Sequence, residues 1–570
     1  MAARSSHPAR LALVLVLASL AAVLVAGQSS YSVADSPPRS DPASPPPSAT
    51  SPPSASLPAS VSASANTSAS APLLLPSAAG GDGLGAAAGG NGSDSRNNAS
   101  LISGVLDGEY GRYLQGGLTA HVWGQPLVTS QRNAATFPAI NALLRQTNIT
   151  TAEDQSTIPL SNTDTLYAAA WLDLASGPLL LSLPLVPQPR YYSALLLDPY
   201  SDVLAVFGAR THGAGPISVM VQWDRQGQGG EGTNSSLAGA AGGGGGGGGG
   251  EGGENNASSS NDMGRTVLGV SSRTRNVFVI VRMLVAGPDD VAAASSLLSN
   301  VTLTRPATNA PPNPLPPPDL SELAGLPDGM QRLVLIDRAL QDNPPAQDQA
   351  NLDALSQLAA IGISPSASPF SPAALSPLQR TALSQAYAVA NVTIRGAYTL
   401  MLLGVNRSMV VNRWLADTSL GYYGDRFLFR AAFSSTGGLG ALPASESLYF
   451  FTWQGPLGLR YNGANANYSL HLSPPPVTAC GFWSLTVYNG DGFLPPGMWR
   501  NSIGDRTKGL AYNPDGTLTV PIQLAAPANA SVQANWLPTP NSTFSVVLRV
   551  YCPSESVLNG EWRPETVQLV

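Results

Sequence analysis

Between residues 166 and 284, short segments of mostly apolar residues alternate with turn residues. This pattern is typical of buried strands bounded by turns. The segments that predict strands are 166–172, 179–183, 191–197, 203–207, 217–223 and 277–284. Residues 198–202 (Asp-Pro-Tyr-Ser-Asp) predict a hairpin between two of these strands. A helical pattern over 113–130 precedes the strands, so we predict a first β-rich domain over 101–310.

The second half of the chain repeats the change from helices to strands. After a proline connector at 311–318, helical spacing predicts a helical segment over 319–410. The last strand-like segments are 448–453, 468–472, 483–488, 518–524 and 544–551. They predict a β-sandwich over 411–570. The fold class is therefore predicted as α+β: two β-rich domains, sandwich or jelly-roll-like, joined by a helical segment.

The first hundred residues differ from the rest of the chain in composition and show no pattern of a folded domain. Arg4 and Arg10 precede a short apolar run that ends in small residues, so 1–27 reads as a secretory signal peptide, with an uncleaved anchor as the alternative. Residues 28–100 are rich in Ser, Pro, Ala and Gly and predict a disordered stalk. The insert at 227–261 contains an unbroken glycine run and predicts a second disordered segment.

Charge and composition exclude several classes of function. The 570 residues carry a formal net charge of −6 with no dense basic patch, which argues against nucleic-acid binding. Gly-x-Ser-x-Gly, His-Glu-x-x-His and Cys-x-x-Cys are absent, so no cofactor or metal site is predicted. N-x-Ser/Thr acceptors recur along the chain, and no stable membrane span is expected in the mature chain. We therefore expect a secreted or cell-wall glycoprotein.

Polar residues embedded in the apolar strands are the candidate functional residues. The candidates for ligand binding are Asn162, Tyr167, Arg190, Tyr191, Arg210, Trp483, Arg500, Asp505, Arg506 and Trp536. Aromatic walls with convergent Asn, Asp and Arg side chains are typical of sites for small polar ligands or sugars. Asp164 and Asp198 are the candidates for an acid and a base in hydrolysis. The alternative is that these charges form internal ion pairs that hold the strands together.

The same motifs resemble a known family. Asn-x-Asp-Thr-Leu-Tyr at 162–167, Arg-Tyr-Tyr at 190–192 and Gly-x-Arg-Thr-x-Gly at 208–213 are similar to domain of unknown function 1254. Ser-Ile-Gly-Asp-Arg at 502–506 and Asn-Trp-Leu-Pro at 535–538 are similar to domain of unknown function 1214. The paired resemblance covers about residues 105–570 and implies no reaction. The stalk resembles algal or plant wall proteins in composition.

Cys480 and Cys552 are the only cysteines, and both depart from the pattern of this family. If their two strands are antiparallel neighbours, the sulfurs meet at one sheet edge, which predicts a disulfide in an oxidising compartment. Two buried free thiols are the alternative.

The function expected from these observations is binding of a small polar or carbohydrate ligand, with no assignable reaction. One alternative is a hydrolase that uses Asp164 and Asp198, and another is a structural matrix glycoprotein. The oligomeric state cannot be read from these patterns.

Overall fold

The computed structural model describes residues 108–153, 159–224, 259–260, 266–365, 368–402, 408–435, 438–455 and 458–570. The predicted signal peptide, the stalk and nearly all of the glycine-rich insert lie outside the described residues. The predicted α+β class is confirmed, because two β-rich regions are present with helices between them.

The first β-rich region is a sandwich of two five-stranded sheets. Its strands are β1 (Leu144–Arg145), β2 (Thr165–Asp173), β3 (Leu179–Leu183), β4 (Tyr192–Leu197), β5 (Val203–Gly208), β6 (Ile217–Trp223), β7 (Ser259–Ser260), β8 (Thr266–Ser272), β9 (Asn276–Leu284) and β10 (Thr302–Thr304). Sheet A has the order β1-β2-β9-β4-β5, and sheet B has the order β10-β3-β6-β8-β7. The predicted hairpin is confirmed as the antiparallel pair β4 and β5.

The three central strands of sheet A, β2, β9 and β4, are buried on both faces, which explains why they form nearly continuous hydrophobic runs in the sequence. Side chains on one face, such as Leu166 and Val281, form a single core with Leu181 and Val219 of sheet B. The opposite face of sheet A turns toward helices and toward the second β-rich region.

Nine helices are assigned in the described part of the chain. They are α1 (Glu109–Trp123), α2 (Gln125–Ala135), α3 (Ala209–His212), α4 (Val291–Ser299), α5 (Asp328–Asp342), α6 (Gln349–Ala359), α7 (Pro377–Leu402), α8 (Phe427–Ser435) and α9 (Glu555–Leu558). The helix predicted over 113–130 is two helices. The helix is interrupted at Gly124, which lies between α1 and α2. A Cβ atom added to this glycine would lie 2.5 Å from Ile336 of α5.

The helical layer contains helices from both sides of the first sandwich. α1 and α2 precede the sandwich, yet they pack against α5, α6, α7 and α8, which follow it. Close packing depends on small residues in α1, since a Cβ on Gly117 would lie 2.8 Å from Ala386 of α7. No helix in the described ranges is long and apolar enough to cross a membrane.

The second β-rich region is also a sandwich, as the sequence pattern predicts. Its strands are β11 (Ser408–Val411), β12 (Trp414–Asp417), β13 (Ser447–Thr452), β14 (Tyr468–Leu472), β15 (Val477–Asn489), β16 (Ser502–Gly504), β17 (Leu518–Gln523), β18 (Leu537–Pro538), β19 (Phe544–Pro553) and β20 (Gln568–Leu569). Sheet C has the order β11-β12-β13-β19-β15-β16, and sheet D has the order β18-β17-β14-β20. Leu485 and Leu548 of sheet C share a core with Leu470 and Val520 of sheet D.

Candidate functional site

The candidate site lies where the outer faces of sheet A and sheet C meet. Tyr167 of β2 and Arg282 of β9 are partners in register and project from the same face of sheet A. Phe482 of β15 and Tyr551 of β19 are partners in sheet C. The side chains on these two faces, here called the interdomain cluster, are Asn162, Asp164, Tyr167, Tyr191, Arg210, Arg282, Glu446, Tyr449, Phe482, Ser484, Asp505, Arg506, Arg549 and Tyr551.

Asp164 connects the two sandwiches. It directly precedes β2, and its side chain is only 6% exposed. Its Oδ1 lies 2.8 Å from Nη2 of Arg506, and its Oδ2 accepts a hydrogen bond of 2.5 Å from the Ser484 hydroxyl. Both partners belong to the second sandwich, so a carboxylate of the first sandwich finds its counter-ion in the other.

Glu446 makes the reverse connection. It directly precedes β13 and is buried. Oε1 accepts a hydrogen bond of 2.9 Å from the Tyr191 hydroxyl, and Oε2 accepts one of 2.5 Å from Nε of Arg210. These two donors come from the first sandwich. Each sandwich therefore supplies a carboxylate to an arginine of its neighbour.

Stacked aromatic rings lie beside these ion pairs. The Phe482 and Tyr551 rings are stacked with centroids 4.2 Å apart, and Tyr191 meets Tyr551 edge-on at 5.0 Å. The Arg506 guanidinium lies 4.3 Å from the centre of the Phe482 ring. Asn162 donates a hydrogen bond of 2.6 Å to the Tyr551 hydroxyl. The arrangement combines apolar ring faces with charged groups, as sites for amphipathic small molecules do.

Arg282 differs from the other arginines of the cluster. Its side chain is buried, and Nη2 donates a hydrogen bond of 2.5 Å to the Gly440 carbonyl. Its guanidinium carbon lies 5.3 Å from the centre of the Tyr167 ring. Within the described ranges, Nη1 has no hydrogen-bond partner and no carboxylate forms an ion pair with this side chain.

The tyrosines keep their protons at neutral pH. Burial raises the pKa of Tyr191 and of Tyr551 well above 10, and neighbouring acidic groups add to the effect. Both hydroxyls therefore remain available as hydrogen-bond donors. The pKa of Arg282 is raised although burial opposes its charge, so this arginine remains protonated.

Two carboxyl groups of the cluster, those of Glu446 and Asp505, have raised pKa values. Burial is the main cause that raises the pKa of Glu446, and the ion pair with Arg210 offsets only part of that effect. Burial also raises the pKa of Asp505, against the attraction of neighbouring Arg506. Negative charge is thus disfavoured at two of the acidic positions.

Asp164 and Asp198 lie at opposite ends of sheet A. Asp164 precedes the residue that pairs with Leu284, whereas Asp198 follows the residue that pairs with Phe278. Six residues of an extended strand separate these positions, which corresponds to about 20 Å. Asp198 is 3.4 Å from Arg273 instead. The close carboxylate pair that the hydrolase hypothesis requires is therefore not formed.

Four other predicted residues lie outside the cluster. Arg190 forms an ion pair of 2.6 Å with Asp290 within the first sandwich. Trp483 projects from the other face of sheet C into the core. Arg500 donates a hydrogen bond of 3.2 Å to the Trp536 carbonyl, and the two residues form a separate group. The structure therefore brings together Asn162, Asp164, Tyr167, Tyr191, Arg210, Asp505 and Arg506 from the predicted set.

The predicted disulfide between Cys480 and Cys552 is confirmed. The Cα atoms are 6.0 Å apart, and β15 and β19 are antiparallel neighbours. The backbone N–H of Cys552 donates a hydrogen bond of 2.9 Å to the Glu446 carbonyl. The disulfide thus anchors the end of β19 beside two members of the cluster, Tyr551 and Glu446.

Seven members of the cluster were not predicted from sequence. They are Arg282, Glu446, Tyr449, Phe482, Ser484, Arg549 and Tyr551. A usable signal was present for two of them, because Arg282 and Arg549 are the only charged residues in their apolar strands. An arginine in such a strand requires a polar environment on one face.

Comparison with known proteins places each half of the cluster in a family segment. Models for two families, each described as a protein of unknown function, match residues 140–305 (DUF1254) and 446–555 (DUF1214). The VPA0106 protein from Vibrio parahaemolyticus is similar in fold, with 20% identity and a TM-score of 0.53 over 80% of this chain and 100% of that chain. An uncharacterized protein from Burkholderia cenocepacia has 11% identity and a TM-score of 0.37 over 83% of this chain and 98% of that chain. No curated protein matches the chain.

Proposed function

This chain belongs to the family that pairs domains of unknown function 1254 and 1214, and we propose that it binds a small polar ligand at the interdomain cluster. The observation that carries the proposal is the convergence of arginines, tyrosines and carboxylates from both sandwiches on one site. Binding sites for small molecules form preferentially at such domain interfaces.

The partly exposed side chains of the interdomain cluster indicate the side from which a ligand would enter. Asn162, Tyr167 and Tyr449 are partly exposed, and the Arg210 side chain is 29% exposed. Tyr551 and Phe482 are fully buried beneath them. A ligand bound among the partly exposed side chains would contact groups that the fold already holds in place above the buried rings, so binding there would require little reorganisation.

The proposal includes no chemical step. General acid–base catalysis requires two titratable groups within reach of one reacting bond. Asp164 and Asp198 do not meet this requirement, because they lie at opposite ends of sheet A. Asp164 and Glu446 are engaged in interdomain ion pairs, and Asp505 pairs with Arg506 of its own sandwich. Binding without chemistry is therefore the function that the geometry supports best.

We also propose a secreted or wall-associated location. The support is the signal-peptide pattern at residues 1–27 and the recurring N-x-Ser/Thr acceptors. A disulfide between Cys480 and Cys552 adds to it, because such bonds persist mainly in oxidising compartments.

The binding proposal is tested by thermal shift and calorimetry on the full chain, using neutral sugars, sugar acids and small organic acids as probes. Arg210→Gln alters the cluster, and Arg190→Gln is the matched control because its ion pair with Asp290 lies within one sandwich. We expect at least one probe to raise the melting temperature of the wild type and of Arg190→Gln. The response of Arg210→Gln should be clearly smaller.

Two results would contradict the proposal. One is that no probe raises the melting temperature of the wild type, which would favour a structural matrix role for the cluster. The other is that Arg210→Gln and Arg190→Gln respond equally, which would place the ligand elsewhere.

A further inference from the structure

Arg282 is buried with part of its hydrogen-bonding capacity unused. Of its two terminal nitrogens, one donates to the Gly440 carbonyl and the other has no partner within the described ranges. A buried guanidinium normally pairs with a carboxylate, because an uncompensated buried charge is strongly unfavourable. Arg549, which is equally buried, donates to the Leu160 carbonyl and to the Tyr488 hydroxyl.

The charges of the cluster leave an excess on the positive side. Its guanidinium groups are those of Arg210, Arg282, Arg506 and Arg549, and its carboxylates are those of Asp164, Glu446 and Asp505. Two carboxylates are assigned to arginines other than Arg282, since Asp164 pairs with Arg506 and Glu446 with Arg210. Asp505 also pairs with Arg506, so the cluster has one guanidinium group more than it has carboxylates. Arg282 and Arg549 both lack a carboxylate within ion-pair distance among the described residues, but both terminal nitrogens of Arg549 donate hydrogen bonds, whereas Nη1 of Arg282 does not.

We infer that the ligand carries one carboxylate group and that Arg282 receives it, with the Tyr167 and Tyr449 side chains beside it. The inference rests on the proposed function and narrows the ligand to a small organic acid or sugar acid. The Arg282 guanidinium carbon lies 5.3 Å from the centre of the Tyr167 ring. Tyr167 and Tyr449 are both partly exposed, so they mark the side from which the acid would arrive.

The charge balance favours a carboxylate over a phosphate. A phosphate monoester carries about −1.5 to −2 charges at neutral pH, more than the single charge the cluster lacks. The second negative charge would be added among carboxylates that burial already disfavours, those of Glu446 and Asp505. A carboxylate brings one charge and two acceptor oxygens that match the fork of a guanidinium group.

The first experiment measures binding by calorimetry with three matched probes: glucuronate, methyl glucoside and glucose 1-phosphate. We expect the wild type to bind glucuronate more tightly than the other two. Arg282→Gln should weaken glucuronate binding by roughly 10- to 100-fold, the range for losing hydrogen bonds to a charged group. Binding of methyl glucoside, if it occurs, should change little in this variant.

The outcomes separate the inference from the proposed function. Equal binding of methyl glucoside and glucuronate, unaffected by Arg282→Gln, overturns the inference and leaves a polar-ligand site standing. Tighter binding of glucose 1-phosphate than of glucuronate overturns the inference, because it contradicts the argument that the ligand carries a single negative charge. If neither these probes nor the wider set bind, the proposed function fails and the inference fails with it.

The second experiment needs no ligand. In low-salt buffer without carboxylate or phosphate, Arg282→Met should leave the melting temperature unchanged or raise it, because it removes a buried charge that forms no ion pair among the described residues. Arg549→Met is the matched control and should lower the melting temperature, since its bonds to Leu160 and Tyr488 are lost. If Arg282→Met lowers it as much as the control, Arg282 supports the fold and the inference is wrong.

Discussion

Replacing Asp164 by alanine tests whether the interdomain cluster also holds the two sandwiches together. The carboxylate is 6% exposed and bonds both to Arg506 and to the Ser484 hydroxyl. Breaking a buried ion pair costs about 3–5 kcal/mol. Arg506 is 20% exposed and keeps a second carboxylate, Asp505, at 3.1 Å, so the cost falls toward the lower end. We expect Asp164→Ala to lower the free energy of unfolding by about 3 kcal/mol.

A double-mutant cycle isolates the contribution of the ion pair itself. Urea denaturation of the wild type, Asp164→Ala, Arg506→Met and the double variant should give a coupling energy of about 2 kcal/mol. The control cycle combines Glu322→Ala and Arg338→Met, whose side chains are 63% and 40% exposed and lie in the helical layer. Its coupling should be smaller, because both partners remain partly solvated.

A coupling energy for Asp164 and Arg506 below about 0.5 kcal/mol, or no larger than that of the control pair, would refute this reasoning. It would mean that the contact across the interface forms without stabilising it. Loss of the glucuronate response in Asp164→Ala at unchanged stability would instead assign this residue to the ligand.

Two further predictions concern pH and redox state. Burial and the nearby charge of Arg332 lower the pKa of His121 from 6.5 to about 3 in the folded chain. Below pH 6.5 the unfolded chain therefore binds a proton at His121 that the folded chain does not bind. The free energy of unfolding consequently falls as the pH drops from about 6.5. At pH 4.5 the loss of stability amounts to roughly 2–3 kcal/mol, at about 1.4 kcal/mol per pH unit. The free energy of unfolding of His121→Phe, measured by denaturation across this range, should depend less on pH than that of the wild type. An unchanged pH dependence would contradict this prediction. Reducing the bond between Cys480 and Cys552, 72 residues apart, should destabilise the chain by about 4 kcal/mol, and equal melting temperatures with and without reductant would contradict that.

The fold was predictable because its signals are local. Apolar runs bounded by turn residues identified β4, β6, β9 and β19 within a few residues of their observed bounds. The break between α1 and α2 has a local signal that was missed, because Gly124 lies at the break and Pro126 has no N–H with which to continue a helix. The assembly of α1 and α2 with the later helices is a long-range contact, which no local pattern records.

The site was predictable only where a motif placed its residues close together in sequence. Asn162, Asp164 and Tyr167 lie within one motif and do meet in the cluster. Asp164 and Asp198 both border apolar strands, yet strand direction places them at opposite ends of one sheet. Trp483 and Ser484 are adjacent, but alternation along β15 points one into the core and the other into the cluster.

The exchange of carboxylates indicates that the interface between the sandwiches is an integral part of the fold. Asp164 of the first sandwich is neutralised by Arg506 of the second, and Glu446 of the second is neutralised by Arg210 of the first. If the sandwiches separated, each carboxylate would lose its counter-ion, and Tyr191 and Tyr551 would lose their ring contact. Separation would rehydrate the charges, but it would also expose Phe482 and Tyr551, which belong to the apolar core of the first sandwich, so burial of these rings favours the docked arrangement. We therefore expect a ligand at the cluster to meet a preformed site, and its affinity to depend mainly on its contact with Arg282.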